Sequence, residues 1–153
     1  MNPADQKNGT GVYPHAIANV ETRNESVFFA SNAIDGICVT DGHGRWPYQS
    51  WGINKQKNAE ITDEFVKEVL INKIGLFLRA DYPHDSNWTS IKLSLSTGKE
   101  MILKTTNSSE CQYFDIPLSK VEWVRLSDLI KNEDESEFPA LTQIEAWGWI
   151  DEI

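Results

Sequence analysis

Ten consecutive residues, Arg79-Ala80-Asp81-Tyr82-Pro83-His84-Asp85-Ser86-Asn87-Trp88, bring a guanidinium, two carboxylates, an imidazole, a phenol and an indole around one proline. Forked polar groups such as Arg79, Asp81 and Asp85 match neighbouring hydroxyls in pairs, and His84 can donate or accept as a neutral ring. The rings of Tyr82 and Trp88 offer flat apolar faces on which C–H surfaces stack. This combination suits a saccharide better than a lipid, which would call for protruding aliphatic side chains. The plainer alternative is a connection whose charges satisfy one another, with Arg79 pinned by Asp81 or Asp85 and Pro83 shaping the turn. Trp88 is compatible with ligand contact and with the first core position of a strand.

A second polar and aromatic stretch, Thr40-Asp41-Gly42-His43-Gly44-Arg45-Trp46-Pro47, has no regular pattern, and its glycines permit tight turns. It adds Arg45 and Trp46 to the candidate ligand contacts. Trp51, just before Gly52 and Ile53, reads as core rather than contact. Catalysis by Asp81, Asp85 and His84 as an acid–base set is the weaker reading, because a glycosidase pair normally faces its substrate from separate elements across a cleft. No nucleophile elbow, phosphate loop or zinc spacing is present, and His15, His43 and His84 are scattered. The expected class is a noncatalytic binding module, with a protein-interaction module as its main rival.

Strands are expected to hold these loops. Ile74, Leu76 and Leu78 alternate into the central stretch, and Ile91, Leu93 and Leu95 alternate out of it, the period of half-buried strands. His15 to Glu21 alternates weakly, like a first edge strand. Residues 59 to 71 carry two patterns. Ile61, Phe65, Val66, Val69 and Leu70 fall at helical spacing, whereas Ala59, Ile61, Asp63 and Phe65 alternate as a strand, followed by a turn at Val66-Lys67-Glu68. The β-rich surroundings favour the strands. Thr97-Gly98 marks a turn, Met101 to Lys104 a returning strand, and Gln112 to Ile116 a strand closed by Pro117. Val121 to Leu126 is another strand, Ser127 to Lys131 a single helical turn, Asn132 to Glu137 an acidic loop, and Thr142 to Trp149 the last strand. Trp123 and Trp147 are assigned to the core or flank. Short strands with such punctuation predict an all-β sandwich.

A chain of 153 residues predicts one domain, here residues 15–153 after a loose, aperiodic leader over 1–14. The net charge of −9 argues against a nucleic-acid partner, since phosphate backbones are held by Lys and Arg. It argues against anionic membranes as well, and no apolar run approaches a membrane span. The polar start, Met1 to Thr10, is not expected to be a signal peptide; the chain is then either cytosolic or a module of a longer exported protein. Cys38 and Cys111 lack a disulfide framework and read as two buried free thiols.

With these pieces in order, the chain resembles the galactose-binding-like jelly-roll superfamily, which includes the discoidin (coagulation factor 5/8 type C) domains and many bacterial carbohydrate-binding modules. Asn32-Ala33-Ile34-Asp35-Gly36, Lys73-Ile74-Gly75-Leu76-Phe77-Leu78-Arg79 and Ile144-Glu145-Ala146-Trp147-Gly148 carry the likeness. It spans His15 to Trp149. The end-to-end disulfide of many secreted discoidin domains does not fit Cys38 and Cys111. The resemblance implies a galactose-binding domain-like β-sandwich whose loops at one end bind a saccharide or glycan, as an appended module of a larger glycan-active protein. It also implies a structural Ca2+ ion where the early loop meets the last strand. Asp35 and Glu145 would be its carboxylate ligands, and Asn32, Thr40 and Ala146 would add backbone or hydroxyl oxygens, the hard donors calcium prefers. Against that stands a turn cap at Asp35 and a surface role for Glu145.

Overall fold

The computed structural model describes residues 14–38, 50–79, 86–133 and 139–150. Seven strands lie among them: β1 (His15–Ala18), β2 (Trp51–Gly52), β3 (Ile61–Leu78), β4 (Trp88–Leu95), β5 (Glu100–Lys104), β6 (Gln112–Lys131) and β7 (Ala140–Ile150). Three short 3-10 turns cover Thr22–Asn24, Ser26–Phe28 and Ala30–Ala33. The strands run in the order β2-β7-β3-β6-β4-β5, with β1 also on β3, and every pairing is antiparallel.

The two central strands have 18 and 20 residues. Straight, the shorter would reach about 60 Å at a strand's rise, whereas a chain of this length has a radius of gyration of about 15 Å. Both strands must therefore bend. β3 bends between Glu64 and Val69, where five steps along it face two along β6, Trp123 to Val121. Before this bulge β3 takes β1 as its second neighbour; after it, β7. One strand thus serves both layers of the sandwich. The expected turn at 66–68 is this bulge inside a continuous strand, and the helical spacing of 61 to 70 is produced by its change of phase.

Two further expectations are corrected in the same way. Pro117 does not end a strand. β6 runs through it with an irregularity opposite Ile71 and Lys73, a position where the ladder tolerates a residue without an N–H. Ser127 to Lys131 is not a helical turn but the end of β6, paired with β4 and bulged between Ser127 and Ile130. Asp128 takes φ 45° there. That extra residue turns Leu126 and Leu129 to the same side, both buried, and leaves Ile130 exposed.

The core fills the space between the layers. Ile74, Leu76, Ile91, Leu93, Val121, Val124 and Leu141 have no exposed surface, and Trp51 packs on Trp88 with ring centroids 6.3 Å apart. Gly148 is required by close packing, since a Cβ there would overlap the backbone carbonyl of Leu70 on the neighbouring strand. No helix among the described residues is long and apolar enough to cross a membrane.

Candidate functional site

One end of the sandwich gathers the flanks of three connecting segments. Trp51, which follows residues 39–49, and Leu78, which precedes 80–85, both pair with Leu141 of β7, just after residues 134–138. Trp88, at the far side of the central segment, pairs with Lys131. Hydrogen bonds lock these flanks together. Arg79 N donates to Ala140 O at 3.0 Å, and Asn132 N donates to Asn87 O at 2.9 Å. Asn87 Nδ2 and Thr105 Oγ1 both donate to Trp88 O, at 2.9 and 2.6 Å. Asn32 reaches in from below, its Nδ2 donating to Ser50 O at 3.2 Å and Ser26 O at 2.9 Å. The strands thus fix the residues on both sides of 80–85 by hydrogen bonds at the rim.

Most of the sequence-derived contacts belong to the segments attached to that rim. Arg45, Trp46, Asp81, Tyr82, His84 and Asp85 lie outside the described residues, as does Thr40. Arg79 is buried at the rim, 5% exposed. Trp88 is corrected from contact to core. It is 1% exposed, with its ring against Trp51. Trp51 is fully buried, as its place before Gly52 suggested.

The rim also carries unsatisfied polarity. Buried side-chain atoms without a hydrogen-bond partner include Ser50 Oγ, Ser86 Oγ and Trp88 Nε1, all on residues that flank the connecting segments. Buried polar atoms are almost always paired, and an unmade bond costs about 1–3 kcal/mol. Composition gave no signal for these serines or for the Asn87–Asn132 clasp, since Ser and Asn are ordinary loop residues.

The residues implied for calcium lie along the flank. Asp35 Oδ1 accepts from Ile37 N at 2.8 Å, the turn-cap geometry. Glu145 Oε2 accepts from Trp147 Nε1 at 2.8 Å. Asn32 commits its amide to two carbonyls, and Ala146 pairs with Ile74. Gly36 N donates to Gln143 Oε1 at 3.2 Å, tying the early segment to β7. The thiol of Cys38 is pushed up by burial, and further by Glu145 and Asp35, so both carboxylates act on one neighbourhood. Among the described residues no three His, Cys, Asp or Glu side chains are grouped to hold a metal. Cys38 and Cys111 are free and half-buried rather than fully enclosed.

No protein-family model matches the sequence, and no curated protein does either. Solved structures do match. A CBM32 module from Clostridium perfringens, in complex with GalNAc-β-1,3-galactose, aligns over 88% of this chain and 94% of its own, with 19% identity and a TM-score of 0.66. The lectin domain of lectinolysin, complexed with Lewis B antigen, aligns over 97% of this chain and 96% of its own, with 16% identity and a TM-score of 0.67. Truncated AlyQ, with CBM32 and alginate lyase domains, aligns over 90% of this chain and 32% of its own, with 13% identity and a TM-score of 0.61. The chain has the galactose-binding-like β-sandwich fold that its motifs resemble.

Proposed function

We propose that this protein is a noncatalytic carbohydrate-binding module that holds a saccharide at the rim end of its sandwich. The observation that carries the reading is the convergence there of the C-terminal flank of 39–49 with the flanks of 80–85, the two segments richest in sugar-binding chemistry. Trp46 and Tyr82 would stack on the sugar's C–H face, while Arg45, Asp81, His84 and Asp85 pair with its hydroxyls. Arg79, buried at the rim, would anchor the start of the 80–85 segment. Modules of the same fold have been solved with galactose, GalNAc-β-1,3-galactose and Lewis B antigen, which supports a glycan as the ligand class. The alignment to one domain of AlyQ supports a place beside a glycan-active enzyme. Micromolar to millimolar affinity is expected, roughly −8 to −4 kcal/mol.

Asp81, His84 and Asp85 share one short segment, which favours binding over acid–base hydrolysis. A glycan array run with the wild type and an Asp81→Ala, Trp46→Ala double variant tests the assignment. Hits lost in the variant are expected. A blank array with folded protein would reject the sugar reading in favour of a protein partner, and turnover of a chromogenic glycoside would reject the noncatalytic one.

Calcium belongs to this reading as a structural ion. Asp35 and Glu145 both act on the neighbourhood of Cys38, and two carboxylates so placed suit a hard cation completed by backbone carbonyls. Millimolar CaCl2 is expected to raise the melting temperature by a few degrees, through mass action on the folded state. Asp35→Asn should remove most of that rise. An equal response in the variant would place the ion elsewhere.

A further inference from the structure

Away from the rim, a crevice of about 410 Å3 opens where the bulged strand β3 turns from one layer to the other. Asp63 and Phe65 line it from β3, Pro14 and Ile34 from the early segment, and residues 143–147 from β7. Its size is that of a small-molecule site, with room for a single ring. Ile34, Phe65, Ile144 and Ala146 make its walls apolar. Asp63 is the exception. The residue is 6% exposed, and its Oδ1 has no hydrogen-bond partner. A charge buried without a partner is costly, and proteins normally pair it. Among the described residues the lining includes a second carboxylate, Glu145, and no Lys, Arg or His.

We infer that this crevice binds a small organic cation, a primary ammonium on a compact apolar-faced body such as an amino sugar, with Asp63 as the counter-charge. The ammonium would pair with the Asp63 carboxylate where the residue lines the crevice, while the apolar walls take the ring. Burial, with a smaller contribution from Glu64, pushes the Asp63 carboxyl up to about 7, the response of an acid that lacks a compensating cation. A neutral ligand of the same shape can donate a hydrogen bond but leaves the charge uncompensated, so the site favours the charged form.

The test is an amide NMR titration at pH 8, in EDTA to remove divalent ions, with cyclohexylammonium and its neutral counterpart cyclohexanol as probes. Saturable shifts are expected around Phe65 and Ile144 with the amine, and at least tenfold weaker binding with the alcohol. Asp63→Asn keeps the shape of the side chain and should bind the amine at least tenfold more weakly. Phe65→Ala, which removes a wall but keeps the carboxyl, should also weaken it, so the inference does not hang on one variant's folding. Equal titration by cyclohexanol, undiminished amine binding in Asp63→Asn, or no saturable response in the wild type would each overturn the inference. Glycan binding at the rim is expected to survive Asp63→Asn, so the two sites fail independently.

Discussion

Two pairs of tryptophans show how differently this fold uses the same side chain. Trp51 and Trp88 lie beneath the rim with at most 1% exposure, packed on each other. Trp147 and Trp149 stand on the outer side of β7, 49% and 51% exposed. Trp147 meets Tyr113 edge-on at 6.1 Å and ties its indole N–H to Glu145. The buried pair supports the proposed ligand end from below without reaching the ligand. The exposed pair lies on a strand face away from that end. An aromatic-rich sequence therefore does not by itself separate enclosed indoles from those open to a ligand.

The largest expected effect separates the pairs by stability. Trp51→Ala or Trp88→Ala should cost about 3–5 kcal/mol in urea denaturation, the usual range for emptying a large buried side chain. Trp147→Ala should stay within about 0.5 kcal/mol, as surface substitutions generally do. Similar costs in both regions would break the comparison.

Asp63, between the layers, sharpens it through pH. Its carboxyl rises from 3.8 to about 7 in the folded protein, so the folded state holds the proton more tightly than the unfolded chain does. The penalty for ionising it is absent below about pH 4, grows with rising pH and is complete above about pH 7. At about 1.4 kcal/mol per unit this amounts to some 4 kcal/mol at most. Asp63→Asn should therefore gain on the wild type as pH rises from 4 to 8. A stability difference that stays flat over that range would show that the carboxyl is not desolvated as described.

Gly148, next to Trp147, gives a smaller contrast. The indole side chain faces solvent, but the glycine beside it meets the backbone of Leu70. Gly148→Ala should cost about 1–3 kcal/mol through the forced shift of β7, several times the cost of Trp147→Ala. Equal, small costs would mean that β7 can move away from β3 freely.

These contrasts also mark what could be read before the structure. Strict alternation at Ile91, Leu93 and Leu95 was legible because β4 buries those three side chains without interruption. The all-β class followed from the same periodicity with its turn punctuation, and the core role of Trp51 from its place before Gly52 and Ile53. Legibility failed at the bulges. An extra residue near Asp128 sets Leu126 and Leu129 three apart on one side, which imitates a helix. The bulge between Glu64 and Val69 does the same for Ile61, Phe65 and Val69, and there only the β-rich surroundings decided correctly. Trp88 was ambiguous because a strand's first residue belongs to both loop and core. The side chains of residues 80–85 stood out in the sequence by their chemistry, but Asn87 and Asn132 beside the connecting segments matter through a long-range contact that no local pattern encodes.

The measurement that bears most directly on the central claim is the affinity of one array-identified glycan for three proteins: wild type, Trp46→Ala with Asp81→Ala, and Trp147→Ala with Trp149→Ala. The account predicts at least a tenfold loss for the rim variant and wild-type affinity for the outer-face variant. Loss confined to the outer-face variant would contradict it and move the saccharide from the strand ends to the β7 surface.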